Sequence, residues 1–123
     1  MAEKMQKTVV IVEDDESIGN LLLMILRDET PYKGLLAESG RQALHMLEQV
    51  KADLLILDFR LPDMTGLDVF DRVVAQAGNE DTPAILTTAH QGCDIGKRKN
   101  MVFLPKPFDL DAFLNTLRRL LQK

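Results

Sequence analysis

Cysteine is almost missing from this chain: Cys93 is the only one in 123 residues. A single thiol excludes an internal disulfide, which suits a reducing compartment. No apolar run approaches the roughly 20 residues that a membrane span requires. The amino terminus, MAEKMQKT, lacks the apolar stretch of a signal peptide. An excess of basic residues is also missing. Fifteen Lys and Arg face 19 Asp and Glu, for a net charge of −4, so no cationic field favours nucleic acid or an anionic membrane. The chain has no internal repeat, low-complexity tract or linker, and no Gly-rich phosphate loop follows a strand, which disfavours a nucleotide-binding module. These absences leave a soluble cytoplasmic protein as the expectation. Its hydrophobic content of 46% and charged content of 28% are ordinary values. The length fits a single domain over residues 1–123 with a substantial core.

Four short apolar runs stand out, at Thr8–Val12, Asp53–Leu57, Ala84–Thr88 and Met101–Leu104, with a weaker one at Gly34–Glu38. Their apolarity is continuous rather than alternating, as in parallel strands buried on both faces. Helical patterns lie between them. Ile18, Leu21, Leu22, Ile25 and Leu26 recur at the spacing of one helix face. Ser39 and Gln42 form a capping-box pattern ahead of Ala43, Leu44 and Leu47. Thr65 is placed to cap a third helix, with Gly78-Asn79 as its stop, and Asp109 to cap the last. This alternation predicts an α/β fold, a three-layer, doubly wound, five-stranded parallel sheet with about five helices. One stretch departs from it. QGCDIGKRKN, residues 91–100, stands where a crossover helix belongs but has no apolar stripe, so a short or irregular helix is expected.

In a doubly wound sheet, functional groups gather at the carboxyl ends of the strands. There the chain places Glu13 and Asp14 after the first strand, Asp58 at the end of the third, Thr87 and Thr88 at the end of the fourth, and Lys106 beyond the fifth. If these strands are neighbours, three carboxylates, a hydroxyl and an ammonium share one pocket. Clustered carboxylates repel unless a proton, cation or lysine offsets them. Oxygen-only ligands with waters suit Mg²⁺. A carboxylate beside that ion can attack phosphorus to form an aspartyl phosphate, with Lys106 and Thr88 on the phosphoryl oxygens.

With these residues in place, the chain resembles a receiver domain of the bacterial response-regulator family, from Val9 to Leu121. The motifs that carry the likeness are IVEDD at 11–15, LLILDFRLPDMTGLDVF at 54–70, LTTAH at 86–90 and FLPKPF at 103–108. The resemblance implies the flavodoxin-like strand order 2-1-3-4-5. It implies that Asp58 accepts a phosphoryl group from a phosphohistidine of a histidine kinase or histidine phosphotransfer protein. Asp14 would ligate Mg²⁺ directly, Glu13 mostly through water, and Arg60 through its backbone carbonyl. Thr88 matches the switch hydroxyl, since the small Ala89 follows it. Lys106 matches the family lysine, with Pro107 fixing its turn, and Phe103 stands at the switch-aromatic position. Two departures accompany the match. About one helical turn fewer residues separate Thr88 from Lys106 than the family usually has, and the deficit falls in residues 91–100. Phe103 also lacks the hydroxyl of the tyrosine often found there.

Plainer roles are expected for several residues. Asp15 and Glu16 are assigned to the start of the first helix, where their charge complements the dipole. Thr87 is read as a strand residue facing a helix and His45 as a surface or boundary residue. Met46, Met64 and Met101 are read as packing residues, and Lys97-Arg98-Lys99 as a solvated face. His90 is placed at the pocket rim, with a possible influence on phosphoryl lifetime. The family likeness implies a signalling switch rather than an enzyme, promoting only its own phosphorylation and dephosphorylation. One alternative is an aspartyl-phosphate-forming phosphohydrolase, though such enzymes commonly need an acid where Arg60 stands. Another is a phosphorylation-independent interaction module. The chain stops where the last helix would end, which fits a stand-alone receiver or one cut from a longer protein with an effector domain. DFRLPDMTGL is compatible with receivers of transcriptional activators and of sensor kinases.

Overall fold

A computed structural model describes residues 6–89 and 98–122. In chain order the elements are β1 (Thr8–Val12), α1 (Glu16–Glu29), β2 (Lys33–Ala37), α2 (Gly40–Leu47), β3 (Leu54–Asp58), α3 (Gly66–Val74), β4 (Ala84–Thr88), β5 (Met101–Pro105) and α4 (Leu110–Leu121). All strands pair in parallel, in the order β2-β1-β3-β4-β5. The expected architecture and strand order are therefore observed. No helix among the described residues is long and apolar enough to cross a membrane.

The continuous apolar runs are explained by two cores, one on each face of the sheet. Val10, Val12, Leu55, Leu57 and Leu86 point towards α2 and α3, packing with Ala43, Val69 and Val73. Their sequence neighbours Val9, Ile11, Leu54, Ile56 and Ile85 point the other way, to Leu22, Leu26, Phe113 and Leu117 of α1 and α4. Both sets of strand side chains are at most 1% exposed, so period-two alternation leaves no polar face. Each fully buried aliphatic side chain contributes about 1.5–3 kcal/mol of transfer free energy. Met101 is buried, and Met46 and Met64 pack at the edge of the first core, as expected.

Most predicted caps are formed. The Asp15 side chain accepts from Ile18 N at 3.1 Å and opens α1. Thr65 and Asp68 make a reciprocal capping box on α3, and Asp109 accepts from Ala112 N at the start of α4. The box predicted for α2 is different. Ser39 does accept from Gln42 N, but the Gln42 side chain accepts from Glu38 N at 2.6 Å, one residue before the cap. The expected stop at Gly78-Asn79 also needs correction, because α3 ends at Val74 with Ala75 as its C-cap. Gly78, at φ +92°, belongs to the turns that follow, and its carbonyl accepts from Lys51 Nζ.

The third strand begins one residue later than predicted. Asp53 instead closes the amino end of the β1–β3 pair, its carboxylate accepting from Thr8 N at 2.7 Å while its own N–H donates to Thr8 O. Asp58 stands at the carboxyl end of β3, as expected, and is its last residue. Four helices stand among the described residues where about five were expected. The expected short or irregular helix at 91–100 and the rim position of His90 fall largely on residues 90–97, outside the described residues. Arg98, predicted to be solvated, forms two hydrogen bonds to the Asp71 carboxylate, at 2.9 and 2.7 Å, fastening the approach to β5 against α3.

Candidate functional site

The strand order reverses direction between β1 and β3, and the crevice at their carboxyl ends is where a doubly wound sheet binds ligands. Into it the chain turns Glu13 and Asp14 from the end of β1, and Asp58 from the end of β3. One carboxylate oxygen from each of Glu13, Asp14 and Asp58 lies within 4.8 Å of the others. Glu13 is buried, Asp14 exposed and Asp58 partly buried, so the cluster runs from the protein interior to solvent. Lys106 reaches across from the end of β5. Its Nζ donates to Glu13 Oε1 at 2.9 Å and to Asp58 Oδ1 at 3.4 Å.

Backbone bonds hold these strand ends in place. Glu13 N donates to Ala37 O, Phe59 N to Thr87 O, and Lys106 N to Thr88 O, all at 2.9–3.0 Å. The last of these ties the cationic residue to the strand end that carries Thr88. Thr88 is 4% exposed and lies opposite Pro105 in the β4–β5 register, while Phe103 lies opposite Leu86. Phe103 is partly buried against the α2–α3 core, on the same side of the sheet as Leu86. Thr87 is buried, and its hydroxyl donates to Leu57 O at 3.3 Å, while Thr88 is the last residue of β4.

The electrostatics follow from this packing. Burial pushes the Asp58 carboxyl up to about 6, the nearby Glu13 charge pushes it the same way, and Lys106 opposes both. Burial by itself would lower the Lys106 ammonium. The hydrogen bond to Glu13 and the charges of Asp58 and Glu13 outweigh it, so the group stays above its usual value. Both Glu13 oxygens already have partners, Lys106 Nζ on one and Asp15 N at 3.1 Å on the other. Asp14 and Asp58 therefore offer the more accessible oxygens to a cation. A set of carboxylate oxygens without sulfur or imidazole nitrogen suits a hard, oxygen-seeking ion.

The loop between Asp58 and α3 is folded back on itself. Arg60 and Thr65 form an antiparallel bridge, Leu61 N donates to Met64 O, and Gly66 N donates to Phe59 O. A Cβ on Gly66 would meet Asp58 O at 2.5 Å, so only glycine lets α3 start this close to the strand end. The loop tip is fastened to α2 by Asp63, whose carboxylate accepts from Gly40 N at 2.9 Å and Arg41 N at 2.8 Å. Neither Gly66 nor Asp63 was singled out from the sequence. A glycine directly after a helix-capping threonine, and an acid at the tip of LPDMTG, are the signals that could have found them.

Beside the carboxylate cluster runs an apolar groove of about 770 Å³ between α1 and the chain leading into α4. Ile18, Leu21, Met24 and Ile25 line one wall and Phe108 and Leu110 the other, and Ala89 and Lys106 also line it. Leu21, Met24 and Leu110, each 44–50% exposed, are the large hydrophobic residues left exposed among the described residues.

The chain is similar in sequence and fold to known proteins. A protein-family model described as the response regulator receiver domain matches residues 9–118. Regulatory protein LuxO of Vibrio vulnificus is 37% identical over 120 residues, covering 92% of this chain but 25% of that protein. The chain thus spans about a quarter of the length of that relative. Among solved structures, the chemotaxis protein CheY4 of Vibrio cholerae superposes with a TM-score of 0.86 at 29% identity, over 94% of this chain and 98% of that one. The response regulator TrrA of Thermotoga maritima, solved in complex with Mg²⁺–BeF, superposes with a TM-score of 0.81 at 27% identity, over 94% and 99%. The match along nearly the whole chain, on the same fold, makes this chain a member of the response regulator receiver domain family.

Proposed function

We propose that the chain is a phosphoacceptor signalling switch acting as a single receiver unit, with Asp58 as the acceptor. The observation that carries this reading is the convergence of the Glu13, Asp14 and Asp58 oxygens within 4.8 Å, with Lys106 Nζ 3.4 Å from Asp58. The donor set fits Mg²⁺, held by Asp14, Asp58 and the backbone carbonyl of Arg60, with Glu13 acting through water. Bound there, the ion would neutralise charge on the carboxylates and on the incoming phosphoryl group.

Asp58 attacks phosphorus through a carboxylate oxygen, and the phosphorus–nitrogen bond to the donor imidazole breaks. Lys106 shifts from Glu13 towards a phosphoryl oxygen, where its charge stabilises the transfer. Thr88 supplies a hydroxyl to another. As Thr88 moves to the phosphoryl group, Phe103 follows towards the space it leaves, changing the surface on the β5 side. The output is binding, and the only reactions the domain promotes are its own phosphorylation and dephosphorylation. Its partners are a histidine kinase or histidine phosphotransfer protein, which docks on the apolar groove, and an effector domain or downstream protein.

Beryllofluoride with Mg²⁺, a mimic of the aspartyl phosphate, tests this reading. It should shift the backbone resonances of Thr88, Phe103 and Lys106 in the wild type and leave Asp58→Asn unchanged. An unshifted wild-type spectrum would remove the phosphoacceptor reading and favour a phosphorylation-independent module. Multiple turnover of a chromogenic phosphoester would favour a phosphohydrolase.

A further inference from the structure

We infer that Asp63, at the tip of the loop that follows the acceptor, is a positioning residue for the metal site. This inference rests on the phosphoacceptor reading and concerns how its metal ligands are held. The nine residues from 58 to 66 carry Asp58 at the end of β3, the proposed ligand carbonyl of Arg60, and Gly66 at the start of α3. Its base is fixed by the bonds from Phe59 N to Thr87 O and from Gly66 N to Phe59 O. Its tip is exposed, with both Pro62 and Asp63 facing solvent. There the two Asp63 oxygens take the first two N–H groups of α2, at 2.9 and 2.8 Å. These are donors that the helix cannot satisfy internally, and a carboxylate complements the positive end of its dipole. The two bonds hold the Asp63 carboxyl below the usual carboxylate range, Arg41 N having the larger effect.

A second contact fixes the same junction. Met64 lies over Gly40 so closely that a Cβ there would meet its Cγ at 2.4 Å and its Sδ at 2.6 Å. Glycine at 40 therefore lets the loop tip close onto α2, and Asp63 latches it. The start of α2 follows β2, whose last residue accepts from Glu13 N. The Asp63 latch thus closes a ring of elements around the carboxylates: the end of β1, the end of β2, the start of α2 and the loop after β3. Releasing it frees the loop tip three residues beyond Arg60, so the carbonyl of Arg60 is held less firmly towards the crevice. A loss of ligand preorganisation lowers metal affinity without removing any ligand.

Calorimetric titration with MgCl₂, alongside melting of the metal-free protein, tests the role in wild type, Asp63→Ala and Asp63→Asn. The expected result is a weakening of Mg²⁺ binding by about three- to tenfold in Asp63→Ala. Asp63→Asn, which keeps one acceptor oxygen and the shape of the residue, should fall between the two. It carries the test if the alanine variant does not fold. Excess Mg²⁺ should return the rate of phosphoramidate labelling to that of wild type, a recovery that damage to the acceptor would not permit. A variant that melts lower yet binds Mg²⁺ as wild type does would overturn the proposal and leave Asp63 a helix cap alone. Absence of Mg²⁺ binding in the wild type would overturn the functional reading and this inference with it.

Discussion

The Lys106 ammonium lies 2.9 Å from Glu13 and 3.4 Å from Asp58, so the buried glutamate, not the candidate acceptor, is its closer partner. Glu13 is 3% exposed and Asp58 12%. A charge as buried as Glu13 requires a counter-ion, and Lys106 supplies it. The arrangement keeps a cation beside Asp58 without saturating it. The phosphoacceptor proposal requires such an arrangement, because an Asp58 oxygen must still reach a metal and phosphorus.

Replacing Lys106 by Met should therefore separate two properties that would otherwise fall together. Removing a positive charge from the crevice should tighten Mg²⁺ binding several-fold, because Glu13 and Asp58 lose their internal competitor. The same change should slow labelling by acetyl phosphate by roughly a hundredfold, since no ammonium stabilises the transferring group. Mg²⁺ titration and labelling rates measured on one preparation check both directions.

The raised Asp58 carboxyl predicts a pH dependence of the metal-free fold. Folding moves this group from 3.8 to about 6, so the folded chain holds the proton more tightly than the unfolded chain. Its contribution to stability is fully present below the unfolded value and is lost as pH rises through about 6. The loss is on the order of 1–2 kcal/mol once partial solvent access is discounted. Urea unfolding in EDTA at pH values on either side of this window should show it in wild type. Asp58→Asn should show a flatter profile and higher stability at neutral pH. Added Mg²⁺ should restore stability at pH values above about 6, where the proton no longer competes for the carboxylate.

The exposed apolar groove makes a prediction that distinguishes docking from chemistry. Leu21→Asp, on the α1 wall of the groove and outside the carboxylate cluster, should leave labelling by acetyl phosphate within about twofold of wild type. Transfer from a phosphorylated histidine phosphotransfer protein should drop by more than about tenfold, because burial of exposed aliphatic surface is lost. Equal losses with both donors would place Leu21 in the folding of the site rather than on a docking surface.

Much of this architecture was legible in the sequence because both faces of the sheet are covered. Val9 to Val12 and Leu54 to Leu57 are unbroken apolar runs, a pattern that specifies buried parallel strands without ambiguity of face. Asp15, Thr65 and Asp109 announced their helices because a capping side chain acts within three residues of its own position. The misreadings concern features that depend on distant partners. Asp53 reads as the first residue of a strand until the Thr8 N–H opposite it is known. Gln42 fits a capping box by spacing, but its side chain bonds one residue earlier. Arg98 reads as one cation in a solvated cluster, and only the fold brings Asp71 to its guanidinium. The carboxylates of the site were legible as a set because each ends a strand. The Asp63 latch was not, because its partners on α2 lie 22 and 23 positions away in the chain.

Phosphoryl transfer to Asp58 is the step on which the proposed switch depends. Intact-protein mass spectrometry after incubation with phosphoramidate and Mg²⁺ tests it most directly, with peptide mapping to locate the added group. One phosphoryl group should be gained on Asp58, abolished by EDTA and absent from Asp58→Asn. Equal labelling of Asp58→Asn, or a wild type that stays unlabelled with Mg²⁺ present, would contradict it.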